Sequence, residues 1–105
     1  MRRQAFFIYN KTYMQMKYLS LEDYENHRYL PDLDIASLLI AKNYELVFID
    51  KISDNKATFV FKNAKEMDDL IEGYWQDTVK VSPLKFTNAR RSLKARLYAM
   101  KTPLR

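Results

Sequence analysis

Residues 31–43, PDLDIASLLIAKN, constrain the fold most. Pro31 with Asp32 or Asp34 supplies helix-start chemistry. Ile35, Leu38, Leu39 and Lys42 recur at helical spacing, while Ala36, Ile40 and Ala41 fill the other sides. A helix that is apolar nearly all round is a central one. Asn43 suits the left-handed residue that ends such a helix. The spacing predicts a helix over about 32–43.

The segments around it alternate between strand and helix patterns. YELVFIDKI (44–52) and KATFVFK (56–62) are β-rich runs separated by Ser53, Asp54 and Asn55, and they predict a hairpin over 44–62. Phe59 and Phe61 share one face of the second run. NAKEMDDLIEGYWQD (63–77) opens on Asn63 with Glu66 at the position of a capping-box acid. Its stripe of Met67, Leu70, Ile71, Tyr74 and Trp75 predicts a helix over about 64–76. Gly73 lies inside it, costs about 1 kcal/mol relative to Ala, and suits close packing or a loosened helix. TVKVS (78–82) reads as a short strand. Ser82 and Pro83 then start a last helix over about 83–101.

The amino-terminal end is patterned differently. QAFFIY (4–9) reads as a strand, and TYMQMKY (12–18) alternates as its hairpin partner. SLEDYEN (20–26) reads as a short helix or turn. Met14 and Met16 are alternative candidate translation starts. The whole is expected to be one domain over 1–105, with 1–26 as a hairpin or arm extension. The fold class is α+β: a small, mostly antiparallel sheet packed with three helices.

Charge is strongly segregated. Residues 1–20 carry a net +4, residues 21–77 hold all thirteen acids and a net −7, and residues 78–105 carry +8 with no acid. Basic ends around an acidic middle suit nucleic acid or an acidic protein surface. Pairing of the ends with the middle within the chain is the plainer use. Cysteine is absent, which excludes disulfides and thiolate metal sites. A single glycine excludes Gly-rich phosphate loops. No apolar run approaches the roughly 20 residues that span a bilayer, and AFFIY is too short for a signal segment. A cytoplasmic protein without a membrane partner is expected.

From about His27 to Tyr98 the chain resembles a family of small uncharacterised domains of bacteria, archaea and their phages. Asp32-Leu33-Asp34-Ile35-Ala36-Ser37-Leu38-Leu39 is similar to the family's Asp-Leu-x-Leu-Ala-x-x-Leu helix. Phe59-Val60-Phe61 resembles its second hairpin strand, and Tyr74-Trp75 its helix end. Leu84-Lys85-Phe86-Thr87-Asn88-Ala89, with Leu93, Lys94, Leu97 and Tyr98, resembles its last helix. The family usually has Gly where this chain has Asn43; both tolerate a left-handed backbone. These are mainly packing residues, so the resemblance implies a fold and no chemistry.

Catalysis finds little support. His27 is the only histidine and has no marked nucleophile partner. Ser20, Ser37, Ser53, Ser82 and Ser92 lack a nucleophile-elbow context. Asp68, Asp69 and Glu72 cluster, but a solvated acidic face accounts for them better than a metal site. A non-enzymatic protein without cofactors is expected. Tyr74 and Trp75 are expected to pack in the core rather than stack on bases.

The last helix carries the functional expectation. At roughly 100° per residue, Phe86, Ala89, Leu93, Leu97 and Met100 form one stripe for the core. Arg90, Arg91, Lys94, Tyr98 and Lys101 line one flank, while Lys85 and Arg96 take the other. Such a flank suits phosphate contact, with Arg2 and Arg3 adding to it. The expected function is nucleic-acid binding through this helix. The alternative is a phage or mobile-element protein that binds or inhibits a host protein. A homodimer through the aromatic first hairpin fits either, because Tyr, Phe, Met and Arg are enriched at interfaces.

Overall fold

A computed structural model describes residues 26–100. The predicted first hairpin, the 20–26 segment apart from Asn26, Arg2, Arg3 and Lys101 lie outside the described residues. The elements run β1 (His27–Leu30), α1 (Leu33–Ala41), β2 (Leu46–Ser53), β3 (Lys56–Lys62), α2 (Met67–Trp75) and α3 (Pro83–Ala99). The three strands form an antiparallel sheet in the order β1-β3-β2. This is an α+β arrangement, as the sequence predicts.

The sheet has two unlike faces. Pairing sets Leu30 and Ile49 beside Phe59, and Arg28 and Leu46 beside Phe61. That face meets the helices: Ile49, Phe59 and Phe61 cluster with Ile35, Ala36 and Leu39 of α1, Met67 of α2 and Leu93 of α3. On the opposite face Tyr29 and Phe48 flank Val60, which is fully buried.

α1 has the central place that its composition requires. Ile35, Ala36, Ser37, Leu38, Leu39 and Ala41 are all buried. Ser37 is tolerated there because its Oγ donates to the Leu33 carbonyl at 2.8 Å. Asp32 caps the helix, its Oδ1 accepting from the amides of Asp34 (2.8 Å) and Ile35 (3.0 Å). At the other end Asn43 takes φ 72°. The Tyr44 amide reaches back to the Leu39 carbonyl and the Asn43 amide to that of Ile40, both at 2.9 Å. This is a Schellman ending with Asn in the position glycine usually takes.

α2 ends in the same way around Asp77, φ 61°, with the Thr78 amide on the Gly73 carbonyl at 2.9 Å and the Asp77 amide on that of Tyr74 at 3.1 Å. This ending explains why residues 78–82 are not the predicted strand. The Thr78 amide is used by the helix end, and the Lys80 carbonyl accepts from Lys42 Nζ at 2.6 Å. Val79 lies so close to Gly73 that an added Cβ would meet its Cγ2 at 2.8 Å. Gly73 therefore serves close packing; the segment crosses the end of α2 instead of joining the sheet.

Two other expectations change. The edge strand β1 occupies His27–Leu30, which had no predicted element. The capping box at Asn63 and Glu66 does not form: α2 begins at Met67, and the Glu66 side chain caps nothing. Glu66 instead acts on Tyr44, helping to raise the pKa of its hydroxyl, and the Asn63 amide extends the sheet to the Asn26 carbonyl at 2.8 Å. The β2–β3 turn is two residues, Asp54 and Asn55, with Ser53 paired to Lys56. Neither turn residue has positive φ, so this is not the primed turn that best fits strand twist. A register irregularity between Lys51 and Ser53 accommodates the difference.

Candidate nucleic-acid interface

α3 is built from its start. Ser82 caps it, its Oγ accepting from the Lys85 amide at 3.3 Å, and Pro83 occupies the first turn. The expected stripe faces inward: Ala89 and Leu93 are buried, and Phe86, Leu97 and Met100 are half-buried. The last turn is held from the sheet. Lys51 Nζ, on the helix-bearing face of β2, donates to the carbonyls of Leu97 and Met100, each at 3.1 Å. A cation at a helix C-terminus also complements the dipole there.

This inward stripe fixes where the basic flank points. Arg91 is exposed, Lys94 is half-buried, and Tyr98 stands 79% exposed. Lys85 and Arg96, on the other flank, are exposed too. Arg90 differs from its neighbours. Its Nε donates to Asp34 Oδ1 at 2.6 Å, tying α3 to the first turn of α1. The hydrogen bond and charge of Asp34 push the Arg90 pKa up. Tyr74 of α2 joins this corner. Burial raises the pKa of its hydroxyl, and the charges of Asp34 and Asp32 act in the same direction. Arg90 is thus partly a structural residue, and it realises within the chain the pairing of a basic end with the acidic middle.

Two shallow cavities border the flank and share Lys94. One, of about 360 Å³, is lined by Phe86, Thr87, Arg90, Arg91 and Lys94. The other, of about 250 Å³, lies between the hairpin turn and the end of α3. It is lined by the apolar Pro31, Leu33, Ala57, Phe59 and Leu97 and by Lys56, Lys94 and Tyr98. Asp54 is the acid in this lining. The flank is therefore a track with a recess at each end, bounded on one side by the hairpin turn.

Lys51 and Lys56 of this site have no signature in the sequence. Lys51 meets α3 through bonds to residues more than forty positions onward in the chain, and Lys56 only lines a cavity shared with the end of that helix. The basic spacing of α3 itself is the legible part.

Other candidates lie elsewhere. His27 sits in β1, paired with Lys62 on the sheet face opposite the helices. Asp68 pairs with Arg28 at 2.5 Å, and Glu72 accepts from Gln76 at 3.2 Å. Among the described residues no group of three or more His, Cys, Asp or Glu side chains could hold a metal ion. No described helix is long and apolar enough to cross a membrane. The Tyr74-Trp75 expectation is half corrected. Tyr74 packs against the core cluster, but Trp75 is 67% exposed, edge-on to Tyr74 with ring centroids 5.0 Å apart. Trp75 is the last residue of a nine-residue helix, and the inward place there is taken by Tyr74.

Neither a curated protein nor a solved structure matches the chain. A family model does, over residues 25–99, which takes in every described element. The chain belongs to the family DUF5659, a domain of unknown function.

Proposed function

We propose that the protein binds nucleic acid, without catalysis, through the Arg91–Lys94–Tyr98 flank of α3. The observation that carries this reading is the arrangement of the flank. Arg91, Lys94 and Tyr98 border two cavities, with Lys94 common to both. Arg91 and Lys94 supply phosphate contacts, which dominate affinity for nucleic acid. Lys56 adds a charge from the hairpin turn. Lys101, Arg2 and Arg3 are further candidate phosphate contacts by their charge. Arg90 contributes less, because its Nε is committed to Asp34.

The test is fluorescence anisotropy with short DNA and RNA at two salt concentrations. Three phosphate contacts predict a loss of about 20-fold in affinity between 50 and 200 mM salt on a single strand. Arg91→Glu combined with Lys94→Glu is expected to abolish binding. Absence of binding at low salt, or binding that ignores the double substitution, refutes the reading.

One observation favours a second reading, a module that docks on or inhibits another protein. Trp75 is exposed although tryptophan is large and apolar, and tryptophan is enriched among the residues that dominate protein interfaces. Pull-down with and without nuclease separates the two. A protein partner that survives digestion and is lost on Trp75→Ala supports the second reading.

A further inference from the structure

We infer that the smaller cavity takes one unpaired base, so that the preferred ligand is single-stranded rather than duplex nucleic acid; this rests on the reading of the α3 flank proposed above. Size is the first consideration. Sites for drug-sized ligands enclose roughly 300–1,000 Å³, and this cavity of about 250 Å³ suits a single flat ring. Its lining is the second. Pro31, Leu33, Ala57, Phe59 and Leu97 contribute apolar surface, and a base has two apolar faces to bury. Tyr98 also lines the cavity and is 79% exposed. An aromatic ring in that position is open to stack on a base that enters the cavity.

The backbone that carries the ring is held. Lys51 grips the carbonyls of Leu97 and Met100, on either side of Tyr98 in the chain. That stretch is therefore tied to β2, and the backbone needs little ordering on binding. Lys56 and Lys94 outnumber Asp54 in the lining and are the groups that phosphates on either side of an inserted base would meet. Ser53 and Asn55 of the hairpin turn line the same cavity and offer polar groups to a base edge. From residue 90 to residue 98 the helix rises about 12 Å, so a strand seated in the cavity continues along Lys94 and Arg91. A duplex keeps its bases paired and stacked and can present only phosphates here.

The test compares a labelled oligothymidylate with a duplex of equal length, by anisotropy on the full chain at low salt. The single strand is expected to bind at least tenfold more tightly. Base stacking on an aromatic ring is sensitive to removal of the ring, so Tyr98→Ala should weaken the single strand about tenfold or more and the duplex by clearly less, closing the gap between the two ligands. Tyr98→Phe should behave as the parent. Equal binding of the two ligands, or a Tyr98→Ala variant that holds the single strand normally, overturns the base site. If Arg91→Glu still weakens binding in that case, the flank reading stands and only this inference falls. If Arg91→Glu has no effect either, both fall.

Discussion

α1 and α3 pack against each other but are specified by opposite means. α1 is nine residues long and six are buried, so two thirds of its positions are set by volume. α3 is seventeen residues long with only Ala89 and Leu93 fully buried. Packing determines its stripe and leaves the rest of its surface open to other uses. The comparison separates residues that make the fold from residues that the fold displays. Arg90 stands between the classes, since it belongs to the displayed flank but is tied to α1 through Asp34.

Substitutions can break this contrast. Leu39→Ala, at a position with no solvent exposure in α1, should cost about 2–5 kcal/mol in urea unfolding, because the cavity adds to the lost burial. Arg91→Ala in α3 should change stability by less than about 0.5 kcal/mol. A loss at Arg91 comparable to that at Leu39 would mean that the flank is structural. Gly73→Ala probes the boundary between α2 and the crossing segment. Helix propensity favours alanine by about 1 kcal/mol, but the new Cβ would meet Val79 at 2.8 Å. Valine is stiff about χ1, and overpacking costs about 1–3 kcal/mol. Net destabilisation is expected in thermal unfolding, and a gain in stability would show that Val79 yields easily.

Smaller effects sharpen the comparison. Asp34→Asn should lower stability slightly, and less so at high salt, since both partners are 42% exposed. The same variant releases Arg90 and should tighten nucleic-acid binding, which anisotropy would detect. The tyrosines give a pH signature. Burial raises the pKa of Tyr44, with the charge and hydrogen bond of Glu66 adding to it, and burial raises that of Tyr74. The folded state thus holds these protons at a pH where the unfolded chain releases them. Their contribution is fully present below about pH 10, the ordinary tyrosine value, and is lost as pH rises through the folded values. Unfolding monitored across alkaline pH should show this decline, and Tyr44→Phe with Tyr74→Phe should flatten it.

The sequence is legible where structure is local. Asp32, Ser82 and Asn43 act at the helix ends where they were expected, because caps and left-handed endings depend on neighbours in the chain. The stripe of α3 follows from periodicity alone. β1 escapes notice because HRYL is four residues long and its partner lies thirty residues onward in β3. Residues 78–82 mislead because Val79 and Val81 alternate as a strand would, whereas the contact that uses Val79 is Gly73 in the preceding helix. Trp75 misleads because a stripe shows which residues share a side, not whether a neighbour covers its last turn. In the candidate site, Arg91, Lys94 and Tyr98 are readable from helical spacing. The recess beside them is not, since it exists only where the β2–β3 turn meets the end of α3.

On the proposed reading the Arg91–Lys94–Tyr98 flank of α3 serves a ligand and is not needed by the fold. The most direct measurement is anisotropy titration of a short single-stranded oligonucleotide at low salt, with the parent and the Arg91→Glu, Lys94→Glu variant side by side. Unfolding midpoints of the two proteins serve as the control. Salt-sensitive binding by the parent, none by the variant, and coincident midpoints are expected. Equal binding by both proteins, or no binding by the parent, would contradict that reading.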